Sequence, residues 1–117
     1  MSQRASFARA LVTEPDLLFL DEPFSALDIG LKRELRNYLL ERVAGKETTV
    51  FFITHDIMEA VYMSDRILLL ATGPGRIVKT FEITNPRRER SDEYVYKRTA
   101  ELLGDGDIIE TFELERK

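Results

Sequence analysis

The chain has no cysteine, no tryptophan and a single histidine. Without cysteine there can be no disulfide, no thiolate nucleophile and no cysteine-ligated metal, which also suits a reducing intracellular setting. No apolar run approaches the roughly 20 residues needed to cross a bilayer. Met1-Ser2-Gln3-Arg4 is polar and leads into helix-forming residues, unlike a secretory signal. Excess charge of one sign is also lacking. Seventeen basic and 21 acidic residues leave a net charge of −4, too even to build a global field for nucleic acid or anionic lipid. Neither an internal repeat nor a low-complexity segment is present. What remains is 117 residues, 44% of them hydrophobic. That is enough apolar material for the core of a small α/β domain.

Local pattern supplies the elements. Ser2 to Val12 predicts a helix, with Phe7, Ala8 and Leu11 on one face. Leu17-Leu18-Phe19-Leu20 is a continuous apolar run that stops at Asp21-Glu22-Pro23, as expected of a strand buried on both faces. Ile29 to Ala44 predicts an amphipathic helix with the stripe Leu31, Leu35, Leu39 and Val43, Asp28 as its N-cap and Gly45 as its stop. Thr48 to Thr54 is β-branched and aromatic, a second strand ending at His55-Asp56. A short helix over Ile57 to Met63 and a third strand over Arg66 to Ala71 follow. Thr72-Gly73-Pro74-Gly75 is a turn, and the alternation of Arg76 to Ile83 suits an antiparallel edge hairpin. A charged connector, Asn85 to Arg90, precedes a last helix from Ser91 to Leu103, ended by Gly104. The acidic remainder, residues 104–117, reads as a tail beyond a domain spanning 1–103. Strand and helix alternation predicts parallel crossover units. Ligands in such sheets sit beyond the carboxyl ends of the strands. Asp21, Glu22, Thr54, His55 and Asp56 all fall there.

Asp21 and Glu22 emerge side by side from the sheet, and neighbouring residues at a strand end point in different directions. One carboxylate can approach a magnesium ion through its water shell, because magnesium dehydrates reluctantly. The other can accept a hydrogen bond from a water and orient it for attack, help worth roughly 10²–10⁴ in rate. Asp-Glu-Pro is also ordinary turn chemistry, and a lone histidine such as His55 is more often structural than catalytic. The setting decides between these readings.

Leu17-Leu18-Phe19-Leu20-Asp21-Glu22-Pro23-Phe24-Ser25-Ala26-Leu27-Asp28 resembles the Walker B strand and D-loop of ABC ATPases over twelve consecutive positions. Met1 to Leu11 is similar to the end of that family's signature motif and the helix it opens. Thr54-His55-Asp56 looks like its switch-histidine loop. The resemblance runs to about Leu103. It implies the C-terminal part of a P-loop NTPase fold, mainly a parallel sheet with flanking helices, a C-terminal β-hairpin and a helix. It further implies that Asp21 helps hold magnesium, that Glu22 polarises the hydrolytic water and that His55 contacts the γ-phosphate. Asp28, and more weakly Ser25, would work across the interface with a second ATPase subunit. Asp56 to Ala60, Ser64 to Ile67, Gly73 to Ile77 and Asn85 to Arg88 are most similar to importers of nitrate, sulfonate and taurine. The implied partners are a second copy in a homodimer, a membrane permease and, indirectly, a solute-binding protein, at the inner face of the cell membrane.

The phosphate-binding loop Gly-x-x-x-x-Gly-Lys-Ser/Thr, whose backbone N–H groups and lysine hold the phosphates in this class, is not found in the sequence. Gly73-Pro74-Gly75 has proline where a donor is needed. The glutamine loop and most of the signature are missing as well. The expectation is therefore a truncated subunit that alone neither binds ATP tightly nor hydrolyses it, and whose apolar Val50 to Ile53 strand invites self-association. One alternative is a non-enzymatic interaction fragment. Another is a phospho-receiver signalling domain, which would need further acidic residues on an earlier strand and a lysine after a later one. Leu68 to Ala71 ends without that lysine.

Overall fold

The computed structural model of the chain describes residues 9, 16–25, 27–72 and 75–115, the last two as backbone only. The Ser2–Val12 helix, Ala26 and the centre of the Gly73-Pro74 turn lie outside the described residues. The chain divides into two compact units, Met1–His55 and Asp56–Lys117.

In the first unit, β1 (Leu17–Asp21) pairs in parallel with β2 (Thr49–Ile53), so that Phe19 lies beside Phe51 and Asp21 beside Ile53. The link between them carries α1 (Ile29–Val43), as a parallel pair requires of its connection. Asp28 caps α1 by accepting a 2.8 Å hydrogen bond from the Leu31 N–H. Its end comes at Ala44, whose N–H still reaches Leu40 O, and Gly45 then takes φ 73°, the left-handed region that glycine enters without strain. Leu18, Phe24, Leu35 and Leu39 are the buried apolar residues of this unit. Burial of β1 on both faces is not observed: Leu17 is 56% and Phe19 61% exposed. Phe51 and Ile53 of β2 share that open face, while Val50 and Phe52 alternate with them and are half-buried. Continuous hydrophobicity thus misled: among the described residues only one face of this two-stranded sheet is covered.

The second unit opens with α2 (Ile57–Met63), which Asp56 caps by accepting from the Glu59 N–H at 3.2 Å. Next, β3 (Arg66–Ala71) pairs with β4 (Arg76–Glu82). This pairing is antiparallel, the hairpin expected from the alternation of Arg76 to Ile83, and among the described residues β3 pairs with β4 and not as a third parallel strand. A four-residue turn between the strands suffices for that geometry, whereas a parallel partner would need a long crossover. The register slips between Leu69, opposite Lys79, and Leu70, opposite Ile77, leaving Val78 as a bulge. The slip resets the alternation of β4. Phe81 is buried, whereas Ile77 lies on the open face with Leu68 and Leu70.

Two helices complete the unit, α3 (Asp92–Leu103), capped by Ser91, and α4 (Gly106–Glu115). The segment read as an acidic tail is therefore helical from Gly106 to Glu115. Its Ile108 joins Val61, Leu69, Phe81, Val95 and Leu102 in one core, with Phe112 packed against it. Asp105 caps α4, accepting from the N–H groups of Asp107 and Ile108, and also pairs with Lys79 of β4 at 2.7 Å.

Arg90 is the structural surprise of the connector. Its side chain is 1% exposed. It donates to the carbonyl oxygens of Asn85 (2.8 Å), Val61 (3.1 Å), Tyr62 (3.0 Å) and Ile83 (3.4 Å). One guanidinium thus satisfies the last turn of α2 and the residues that follow β4. Burial, partly offset by Asp65, pulls its pKa below the usual arginine value, but a guanidinium in a protein stays charged.

Candidate active site

Parallel pairing places the ends of β1 and β2 side by side, and the sequence-predicted residues gather there. Asp21 closes β1 opposite Ile53, with its side chain exposed. Glu22 follows with φ 44°, the one positive φ outside glycine among the described residues. Such a conformation costs about 1–3 kcal/mol unless its surroundings fix it. Here they do. The Glu22 N–H donates to Ile53 O at 2.8 Å, and the Glu22 carbonyl accepts from the Ser25 N–H at 3.3 Å and from Ser25 Oγ at 3.2 Å. Pro23 disfavours the right-handed helical region at Glu22 and by itself would favour extended backbone, so these bonds are what hold the turn.

The bend brings the Glu22 carboxylate to His55. Glu22 Oε1 lies 2.5 Å from His55 Nδ1, across 33 positions of sequence. Nδ1 carries the proton and donates, because the carboxylate can only accept. In the neutral ring that leaves Nε2 as an acceptor, and in the imidazolium both nitrogens donate. The pair is accessible, His55 being 68% and Glu22 38% exposed at the side chain. A carboxylate and an imidazole thus meet at the ends of β1 and β2.

The other predicted residues are placed differently. Asp28 spends one carboxylate oxygen on capping α1, which explains its position without any ligand. Ser25 is exposed and hydrogen-bonded to Glu22. No group of three or more histidine, aspartate or glutamate side chains among the described residues could cage a metal ion. Magnesium keeps several waters and takes only one or two protein carboxylates beside those of a phosphate ligand, and Asp21 can be such a carboxylate. Sequence reasoning missed the left-handed Glu22 and its lock by Ile53 and Ser25, for which no local signal existed.

No protein-family model matches the chain. Individual relatives do. An aliphatic sulfonates import ATP-binding protein of Bacillus cereus is 41% identical over 115 residues, covering 95% of this chain and 46% of that protein. A protein of the same description from Burkholderia lata is 45% identical over 104 residues, 88% of this chain and 38% of its own length. An uncharacterized ABC transporter ATP-binding protein of Methanocaldococcus jannaschii is 41% identical over 100 residues, 84% and 38% respectively. The chain spans less than half the length of these relatives.

Proposed function

From its homology, over nearly its whole length, to part of the ATP-binding proteins of ABC transporters, we propose that this chain supplies the water-activating end of an ATP-hydrolysing importer subunit. The transported solute is an aliphatic sulfonate or a related small anion such as taurine or nitrate. In the complete subunit Asp21 holds magnesium through water, and Glu22 accepts a hydrogen bond from the attacking water. His55 keeps the Glu22 carboxylate oriented through Nδ1–H and, when its ring carries both protons, donates from Nε2 to the γ-phosphate. Asp28 and Ser25 face a second ATPase subunit, and the pair of subunits works beneath a membrane permease fed by a solute-binding protein. Magnesium, when bound, neutralises charge on the phosphates. A single observation carries the reading: the 2.5 Å contact between Glu22 and His55 at the ends of β1 and β2. Geometry of this kind is what a positioned general base requires.

The chain by itself lacks the phosphate-binding loop motif, so the purified polypeptide is expected to show neither micromolar affinity for magnesium–ATP nor turnover. Titration with magnesium–ATP tests this. Micromolar binding, or hydrolysis that Glu22→Gln abolishes, would contradict it. The positive claim is tested by a chimera in which this chain replaces the matching part of the Bacillus cereus relative. Magnesium-dependent ATP hydrolysis should appear and fall by roughly 10²-fold or more with Glu22→Gln. Turnover indifferent to that substitution would refute the role of Glu22.

A further inference from the structure

Glu22 can reach His55 only because its backbone turns into the left-handed region, and beside the contact from the Ser25 N–H two further hydrogen bonds hold that turn. One is to Ile53 O, a main-chain group beyond the reach of substitution. The other comes from the Ser25 hydroxyl, 3.2 Å from Glu22 O. Ser25 is otherwise exposed. We propose that Ser25 is a positioning residue: its hydroxyl fixes the strained Glu22 turn and so aims the carboxylate at His55 Nδ1. The proposal deepens the reading of Glu22 as the water-activating group and rests on it for its catalytic meaning. The geometry itself needs no nucleotide.

The linkage can be stated atom by atom. Ser25 Oγ–H donates to Glu22 O, and the Ser25 N–H donates to the same oxygen at 3.3 Å. With both in place the carbonyl is held on the Ser25 side, while the Glu22 N–H stays on β2. Without the hydroxyl one of these ties goes. A glutamate, which gains nothing locally from positive φ, then relaxes towards the extended region that Pro23 favours. The carboxylate swings with the backbone, and Nδ1 loses its acceptor.

His55 is the only histidine in the chain, so selective ¹⁵N labelling of histidine reports on this ring alone. At about pH 8.5, where an ordinary imidazole is neutral, the ¹⁵N shifts give the ratio of the Nδ1–H to the Nε2–H tautomer. The wild-type chain is expected to favour Nδ1–H, and Glu22→Gln to lower the ratio. Ser25→Ala should lower it about fivefold, the scale of one exposed hydrogen bond. Ser25→Thr, which keeps the hydroxyl, should restore the wild-type ratio. A general loss of structure would not be rescued by threonine. A wild-type ring dominated by Nε2–H, or a Ser25→Ala ratio equal to wild type, would overturn the proposal. Because no nucleotide is present, failure of the ATPase reading would leave these ratios untouched.

Discussion

Arg90→Ala offers the most demanding test of how the second unit is held together. The side chain is almost fully buried and donates four hydrogen bonds of 2.8–3.4 Å to main-chain carbonyls. Bonds to a charged donor are each worth about 1.5–3 kcal/mol. A plain sum would be about 6–12 kcal/mol, as large as the whole stability of a typical domain. The real loss must be smaller. Alanine leaves space that water can enter, and the carbonyls of Val61 and Tyr62 sit in the last turn of α2, where helix oxygens lack internal partners in any case. Leaving a buried carbonyl without its donor costs about 1–3 kcal/mol, and with two of the four bonds buried and two part-buried the expected value is about 3–5 kcal/mol. For a chain of this length it corresponds to a fall in Tm of roughly 10–20 °C. Urea denaturation followed by circular dichroism gives the magnitude. Amide exchange locates it, with the Ser64 N–H (bonded to Ala60 O) and the Ile83 N–H (bonded to Asp65 O) losing protection first. Arg90→Lys should recover less than half, since an ammonium cannot serve four divergent acceptors. A loss below about 1 kcal/mol, the size of an ordinary surface change, would refute the reasoning.

The remaining predictions concern other joints. Asp28→Ala should cost about 1 kcal/mol by uncapping α1, while Asp28→Asn should be nearly neutral, both read from urea midpoints. Glu22→Gly should be tolerated better than Glu22→Val, because valine resists φ 44°, and thermal melts of the two variants compare them. The hydrogen bond from Lys79 holds the Asp105 carboxyl below its usual value of 3.8, so this contribution is complete above that pH and is lost as the pH falls below it. Asp105 in turn raises Lys79 above 10.5, so the contribution is complete below that pH and disappears as the pH climbs past it. Exchange protection of the α4 amides should therefore show a plateau with two arms, and Asp105→Asn should remove the acid arm and shrink the alkaline one, since Asp107 still lies 3.4 Å from Lys79. Finally, the open face of β1 and β2 should promote self-association. Sedimentation showing a clean monomer at high concentration would count against that expectation.

Local chemistry made much of this structure legible before any coordinates. The caps Asp28 and Ser91, the stops at Gly45 and Gly104 and the polar punctuation after each apolar run placed most elements to within a residue or two. The meeting of Glu22 and His55 followed from one topological rule, that parallel strands deliver their ends to the same place. What sequence hid depends on partners distant in the chain. Arg90 sits in a run of charged residues, and nothing local separates a buried guanidinium from its exposed neighbours Arg87 and Arg88. The pairing of β3 with β4 alone turned on tertiary context, since Leu68-Leu69-Leu70 would suit a parallel strand equally well. For α4 the signal was present. Ile108 and Phe112 are one helical turn apart, but the surrounding acidic residues masked the stripe.

The bare sheet face of the first unit also bears on how the folded chain will behave in a test tube. Leu17, Phe19, Phe51 and Ile53 lie side by side and open to solvent. An apolar dye such as ANS should find a ready site there in the native state. Dye fluorescence is commonly taken as the mark of a molten globule, a state that loses its near-ultraviolet circular dichroism as tertiary packing goes. In this chain brightness and native packing should coexist, with the tyrosine and phenylalanine dichroism intact while the dye is bound. Sulfate should drive the same face out of water and lower solubility, and dilute urea should raise it before any unfolding begins.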